Sequence, residues 1–281
     1  MIRPLTLSAL LCLGLILPAF SAAVRDPSGA NANTLAPNDD GSAGPVNLGF
    51  TVNFFGANTN TVFVNNNGNL TFNNALSQYT PNGLATGVGQ PIIAPYFADV
   101  DTRNAASGLV TYGTGTITDA SLGWNDDAFF AVEWPAVGYY NSHADKTDTF
   151  EVLLVSRPDT GAGNFDIEFN YNNVQWETGD ASGGSGGLGG TSAAVGYSNG
   201  MSGINDVYSQ LPGSLVNGAL INGGPDALIS NSLNSSVPGR YDFAVRGGVV
   251  VPVTPTPEPA TLVLLAGGML LAAWLRRRKS A

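Results

Sequence analysis

Between residues 46 and 246, short runs of alternating apolar and polar side chains are separated by stretches of Gly, Asn, Asp and Pro. Leu48, Phe50, Val52 and Phe54 recur at every second position, which places four apolar side chains on one face of a strand. Phe150, Val152 and Leu154, and then Phe165, Ile167, Phe169 and Tyr171, alternate with acidic or polar residues, predicting strands with one buried and one wet face. Pro158-Asp159-Thr160-Gly161 between them is turn chemistry. Val62-Phe63-Val64 and Leu70-Thr71-Phe72 flank Asn65-Asn66-Asn67-Gly68-Asn69, where Asn-Gly tolerates the positive φ of a hairpin turn. About ten short strands with this punctuation predict an all-β fold, an antiparallel two-sheet β-sandwich-like domain. Residues 24–45 are small and polar without an apolar period and read as a flexible, loosely docked arm. Asn73 to Gln90 has room for a short turn of helix, and the glycine-rich stretch Gly179 to Ser192 is expected to be a mobile loop.

The two ends follow a different pattern. Arg3, an apolar run from Leu5 to Leu17 and the small residues Ser21-Ala22-Ala23 make a signal peptide over residues 1–23, a helix cleaved after Ala23. At the other end Pro257-Glu258-Pro259 precedes an uncharged run over residues 260–275 and then Arg276-Arg277-Arg278-Lys279. Sixteen helical residues reach about 24 Å against a hydrocarbon core of roughly 30 Å, a short transmembrane helix whose basic end, residues 276–281, stays cytoplasmic. Residues 248–259, with Val249-Val250-Val251-Pro252 at their start, are expected as an extended Pro-rich spacer. The tripeptide, short helix and basic end together resemble the PEP-CTERM sorting signal of Gram-negative bacteria. That resemblance implies an exosortase partner that recognises Pro257, Glu258 and Pro259 and removes or transfers the helix. It also implies export across the inner membrane, anchoring by the C-terminal helix, and then a place on the cell surface or in the extracellular matrix.

Charge narrows the function classes. Residues 24–259 hold all 21 acidic residues and six basic ones, a net charge of −15, whereas the whole chain carries −10. Such a surface repels nucleic acid, whose binding needs clustered Lys or Arg. Cys12, the sole cysteine, lies in the leader, so the exported part has neither disulfide nor thiol chemistry.

The apolar run Pro91 to Phe97 closes on Ala98-Asp99-Val100-Asp101-Thr102-Arg103. With the Asn-Gly hairpin before it, and Val132-Glu133-Trp134, Phe165-Asp166-Ile167-Glu168-Phe169 and Leu211-Pro212-Gly213-Ser214 after it, this order is similar to the NIDO domain of nidogen and tectorin-like proteins. The resemblance covers nearly all of residues 46–247 and implies a cell-matrix adhesion module. It carries over no binding residues.

Candidate chemistry is sparse. His143 is the only histidine, and no G-x-S-x-G nucleophile elbow accompanies it. Gly184, Gly186 and Gly189 fit G-x-G-x-x-G, but no strand precedes them and no amphipathic helix follows. Asp99 and Asp101 would share one strand face about 7 Å apart at the backbone, a pair of carboxylates such as a glycosidase uses. As metal ligands they begin like a calcium loop and then fail as an EF-hand, with Arg103 and Asn104 where a ligand and the turn glycine belong. The preferred reading has both bonding backbone amides or Arg103; the alternative is a non-EF calcium site drawing on Asp145 or Asp148. The sequence therefore predicts an exported, non-enzymatic adhesion domain without a cofactor. Its partner would be matrix polysaccharide, as in exopolysaccharide or biofilm, or a surface protein. A carbohydrate-active hydrolase and a structural surface protein without ligand are the alternatives.

Overall fold

A computed structural model describes residues 22–251, so the signal and C-terminal helices, Pro257-Glu258-Pro259 and the basic end lie outside the described residues. The described chain is all-β, two antiparallel sheets packed face to face. The larger sheet has seven strands: β1 (Asn33–Thr34), β6 (Thr111–Asp119), β7 (Trp124–Tyr139), β8 (His143–Ser156), β9 (Phe165–Asn173), β12 (Arg240–Arg246) and β13 (Val249–Val251), in that spatial order. The smaller has six, in the order β11 (Tyr208–Gln210), β10 (Ala194–Ser198), β5 (Ile92–Phe97), β4 (Asn69–Thr71), β3 (Ala57–Asn65) and β2 (Ser42–Phe54). Several strands are longer than the short ones expected, since β7 runs for 16 residues and β8 for 14.

The period-two residues meet between the sheets. Phe150, Val152 and Leu154 of β8 and Phe165, Ile167, Phe169 and Tyr171 of β9 face Val52, Phe54, Val62, Val64, Leu70 and Ile93 in one continuous core. Trp134 stacks on its cross-strand partner Phe150 with ring centroids 4.9 Å apart, and its indole N–H donates to the Asn66 carbonyl at 2.9 Å. Tyr171 of the larger sheet donates its hydroxyl proton to the Pro95 carbonyl of the smaller at 2.6 Å, so buried aromatics satisfy their polar tips across the layer. The Asn-Gly hairpin forms where predicted, joining β3 to β4 with Gly68 at φ 70°.

The outer face of the larger sheet is not wet, which corrects the half-exposed reading of β8 and β9. Glu151, Leu153, Val155, Asp166, Glu168 and Asn170 on that face are all buried. The cover is the segment expected to be a flexible arm. Ala30 packs with Trp124, Phe129, Ala131, Leu153 and Val155. Gly113 and Gly115 of β6 admit it, for a Cβ there would lie 1.9 Å from the Gly29 carbonyl oxygen and 2.4 Å from that of Ser28. Arg25 then closes over the buried acids. Its Nε and Nη2 donate to Glu168 at 2.6 and 2.8 Å, Nη2 reaches Asp119 at 2.8 Å, and the guanidinium sits 5.1 Å from the Trp124 ring centre.

The segments outside the long strands are also well defined. Residues 73–90 hold a 3-10 turn at Leu84–Thr86, and Leu84, with Leu76 and Val88, packs on the outer face of the smaller sheet. The glycine-rich stretch forms a defined coil, with a 3-10 turn at Asp180–Ser182, a bridge between Ser185 and Leu188, and the Gly187 carbonyl accepting from the amides of Glu177 and Thr178. The spacer expected from residue 248 begins as β13, whose Val249–Val251 pair with β12. Ala23, expected at the leader cleavage site, is buried; its amide donates to Asn172 Oδ1 at 3.0 Å and its carbonyl accepts from Arg240 Nε at 3.0 Å.

Candidate functional site

Loops from both sheets converge at one end of the sandwich. They are residues 36–41 before β2, the 66–68 turn, residues 98–104 after β5, the β7–β8 turn and the coil from Gly179. The apolar run that makes β5 ends at Phe97, so Asp99 and Asp101 lie beyond the strand.

Asp101 is fully buried and fully engaged. It accepts from the Arg103 amide at 3.0 Å, from Arg103 Nε at 2.8 Å and Nη2 at 2.5 Å, and from the Ser142 amide at 2.8 Å. Burial alone would raise its pKa, but these donors, Arg103 foremost, hold it below the ordinary carboxylate value. Asp101 is thus bonded to Arg103 and to two backbone amides.

Asp99 differs. It is 2% exposed, and its Oδ2 has no hydrogen-bond partner. Gly179 presses on it so closely that a Cβ would lie 2.4 Å from that oxygen. Its neighbours are Asp39 and Asp40, and one carboxylate oxygen from each of the three lies within 4.8 Å of the others. Burial first, and then the like charges of Asp39, Asp40 and Asp101, push Asp99 up to about 7; burial and Asp40 push Asp39 up to about 6. Asp39 and Asp40 sit in a stretch that reads from sequence only as small and polar; the one available signal was the turn-like Asn38-Asp39-Asp40-Gly41.

The remaining candidates have other occupations. Tyr139 donates its hydroxyl proton to Asp145 at 2.9 Å, and buried Asp148 accepts from the Gln175 and Trp176 amides at 2.6 and 3.3 Å. His143 pairs through Nε2 with Asp180 at 2.9 Å and stacks on Tyr139. Trp124, Trp134, Tyr139 and Trp176 are core residues, while Tyr140 is partly exposed and carries the Arg103 guanidinium 5.7 Å from its ring centre.

A second region escapes sequence reasoning because it has no period. Among the described residues nine large hydrophobic side chains are exposed, and Met201, Ile204, Val207, Tyr208, Leu215 and Val216 are six of them. They flank or belong to β11, the short strand at the open edge of the smaller sheet.

Comparison with known proteins agrees with both resemblances. A model of the nidogen-like domain matches residues 60–247, and one of the PEP-CTERM protein-sorting motif matches residues 255–279. Alpha-tectorin of Mus musculus is 35% identical over 236 residues, covering 76% of this chain and 10% of its own length. Alpha-tectorins of Homo sapiens and Gallus gallus are 35% and 33% identical, with the same coverage. The chain therefore spans about a tenth of the curated relatives it matches. No solved structure matches it.

Proposed function

The chain belongs to the nidogen-like domain family and carries a PEP-CTERM sorting motif, and from that premise we propose that it is an exported, non-enzymatic adhesion domain that binds extracellular matrix material. The observation that carries the reading is the stretch Met201 to Val216, where six large apolar side chains stand in solvent beside an open sheet edge. Exposed apolar surface that is concentrated, rather than scattered singly, marks interaction sites. An edge strand such as β11 adds unpaired backbone donors and acceptors for an incoming polymer or peptide. The strongly acidic composition keeps the rest of the surface soluble and turns nucleic acid away.

The hydrolase reading has one observation in its favour: Asp99 is pushed up while Asp101 is held down, the kind of split that separates a general acid from a base. Against it, Asp101 accepts from Arg103 and Ser142, so the carboxylate held in its charged form is not free to activate water.

The test is attachment. Cells that keep both chain ends but lack residues 46–247 should lose adhesion to their own matrix. A chain with Met201, Ile204 and Tyr208 changed to Ser should fold and yet fail to sediment with purified matrix. Normal attachment by the deletion strain, or release of soluble sugar by the purified protein, would overturn the proposal.

A further inference from the structure

The corner formed by Asp39, Asp40 and Asp99 contains more negative charge than its neighbours compensate. Arg103 is the cation that reaches it among the described residues, at 3.2 Å from Asp39 Oδ2, and that guanidinium is already committed twice to Asp101. Asp40 Oδ1 accepts from Asn67 Nδ2 at 2.8 Å. Two oxygens are buried without a partner at hydrogen-bond distance, Asp39 Oδ1 and Asp99 Oδ2. The Ser182 hydroxyl faces Asp99, but its close partner is Thr80 at 2.7 Å. An orphaned buried carboxylate oxygen is costly, and nearby like charges raise that cost.

We propose that Asp39, Asp40 and Asp99 are ligands of a calcium ion that fastens the loop before β2 to the loop after β5. The donor set decides the metal. It is made of carboxylates, with the Ser182 and Thr80 hydroxyls nearby and no imidazole or thiolate, which suits a hard cation. Carboxylates brought together from separate loops accommodate calcium's larger, irregular shell more readily than the near-ideal octahedron magnesium demands. The site differs from the sequence expectation in its members. Asp101 serves Arg103, Asp145 serves Tyr139 and Asp148 serves two amides, so Asp99 alone carries over.

The site does not depend on the adhesion reading, and its test reads no adhesion. The full chain, purified in detergent and stripped with a chelator, is titrated at pH 8 with calcium chloride by calorimetry, with thermal unfolding followed in parallel. The expected result is one calcium per chain, a dissociation constant of about 0.1 to 1 mM as in extracellular modules, and a melting temperature that calcium raises and chelator lowers. Asp99→Asn should weaken binding at least about tenfold, and Asp40→Asn likewise, while Asp145→Asn leaves it unchanged. Should Asp99→Asn fail to fold, terbium luminescence on the wild type, displaced by calcium, reports the same site. Absence of calcium binding by the wild type, or undiminished binding by Asp99→Asn and Asp40→Asn, would overturn the assignment.

Discussion

Arg25 Nε lies 2.6 Å from Glu168 Oε1, a contact that spans 143 residues of sequence and joins the start of the described chain to a central strand of the larger sheet. Glu168 is fully buried and Arg25 nearly so, and Asp242 and Glu151 crowd the same face. Removing the cation leaves these acids without their partner, which for a buried pair costs about 3 to 5 kcal/mol. Arg25→Ala is expected to lower unfolding stability by about 3 kcal/mol in urea. Arg25→Lys should rescue little of it, because an ammonium cannot reproduce the fork to Glu168 and Asp119 or the stacking on Trp124. A wild-type urea midpoint for Arg25→Ala would show that the segment rests on the sheet without holding it.

The same face sets a pH dependence. Burial, with Glu168 and Glu133 nearby, pushes Glu151 from 4.5 up to about 8, against the donors Arg25 and Asn170. Burial and Glu168 push Asp242 up from 3.8 to about 9, against Arg25 and Arg240. A carboxyl whose folded pKa exceeds its unfolded value stays protonated in the fold after the unfolded chain has released its proton. Stability is therefore full below about pH 4 for these groups and falls as pH rises towards 8 or 9, by up to about 1.4 kcal/mol per unit for each. Urea midpoints measured from pH 5 to pH 8 should fall, and Glu151→Gln should flatten the slope. A rise across that range would contradict the assignment.

Asp101→Asn tests the opposite kind of acid. It weakens charge-assisted bonds from Arg103 and leaves an amide group facing donors, so stability should drop by about 1 to 3 kcal/mol. Calcium stoichiometry should stay at one per chain in this variant. Loss of the ion with Asp101 would return that residue to the metal site.

The residues at the expected cleavage site can be examined directly. Ala23 and Ala22 offer their carbonyls to Arg240 at 3.0 and 3.2 Å. A chain that begins at Val24, as the expected cleavage would leave it, should be less stable than one retaining Ala22 and Ala23, by about 1 kcal/mol for each bond lost. Equal denaturation midpoints would mean that Arg240 is satisfied by water instead.

At the other end, the motif matched over residues 255–279 predicts that the native protein has lost its apolar run and basic cluster. Intact mass of the protein from wild-type cells checks this. A mass that still includes residues 260–281 would leave a plain membrane anchor.

Much of the sandwich was legible because its core obeys period two. Phe150, Val152 and Leu154 face inward as their spacing dictates, and Asn67-Gly68 turns the β3–β4 hairpin. The outer face was not legible, because a glutamate alternating with Val and Leu looks the same whether water or a distant arginine covers it. Glu151 and Glu168 became core residues through Arg25, a contact no local pattern encodes. The glycine-rich coil misled in another way. Composition shows that many conformations are open to it but not that Glu177, Thr178 and Ser185 supply bonds that select one. The acid pair failed on length, for a strand four residues longer would have kept Asp99 and Asp101 on one face, whereas β5 stops at Phe97.

β13 leaves the larger sheet as a three-pair hairpin arm, with Arg246 opposite Val249 beside the turn and Ala244 opposite Val251 at the open end. β12 behind it is held to β9 by six pairs, Arg240 to Val245. Tension on the chain beyond residue 251 therefore enters at the open end of the hairpin, where pairs yield one after another instead of sharing the load. A load of that kind would lengthen the chain by those few residues first, and the sandwich behind β12 would feel the pull only after that slack is spent.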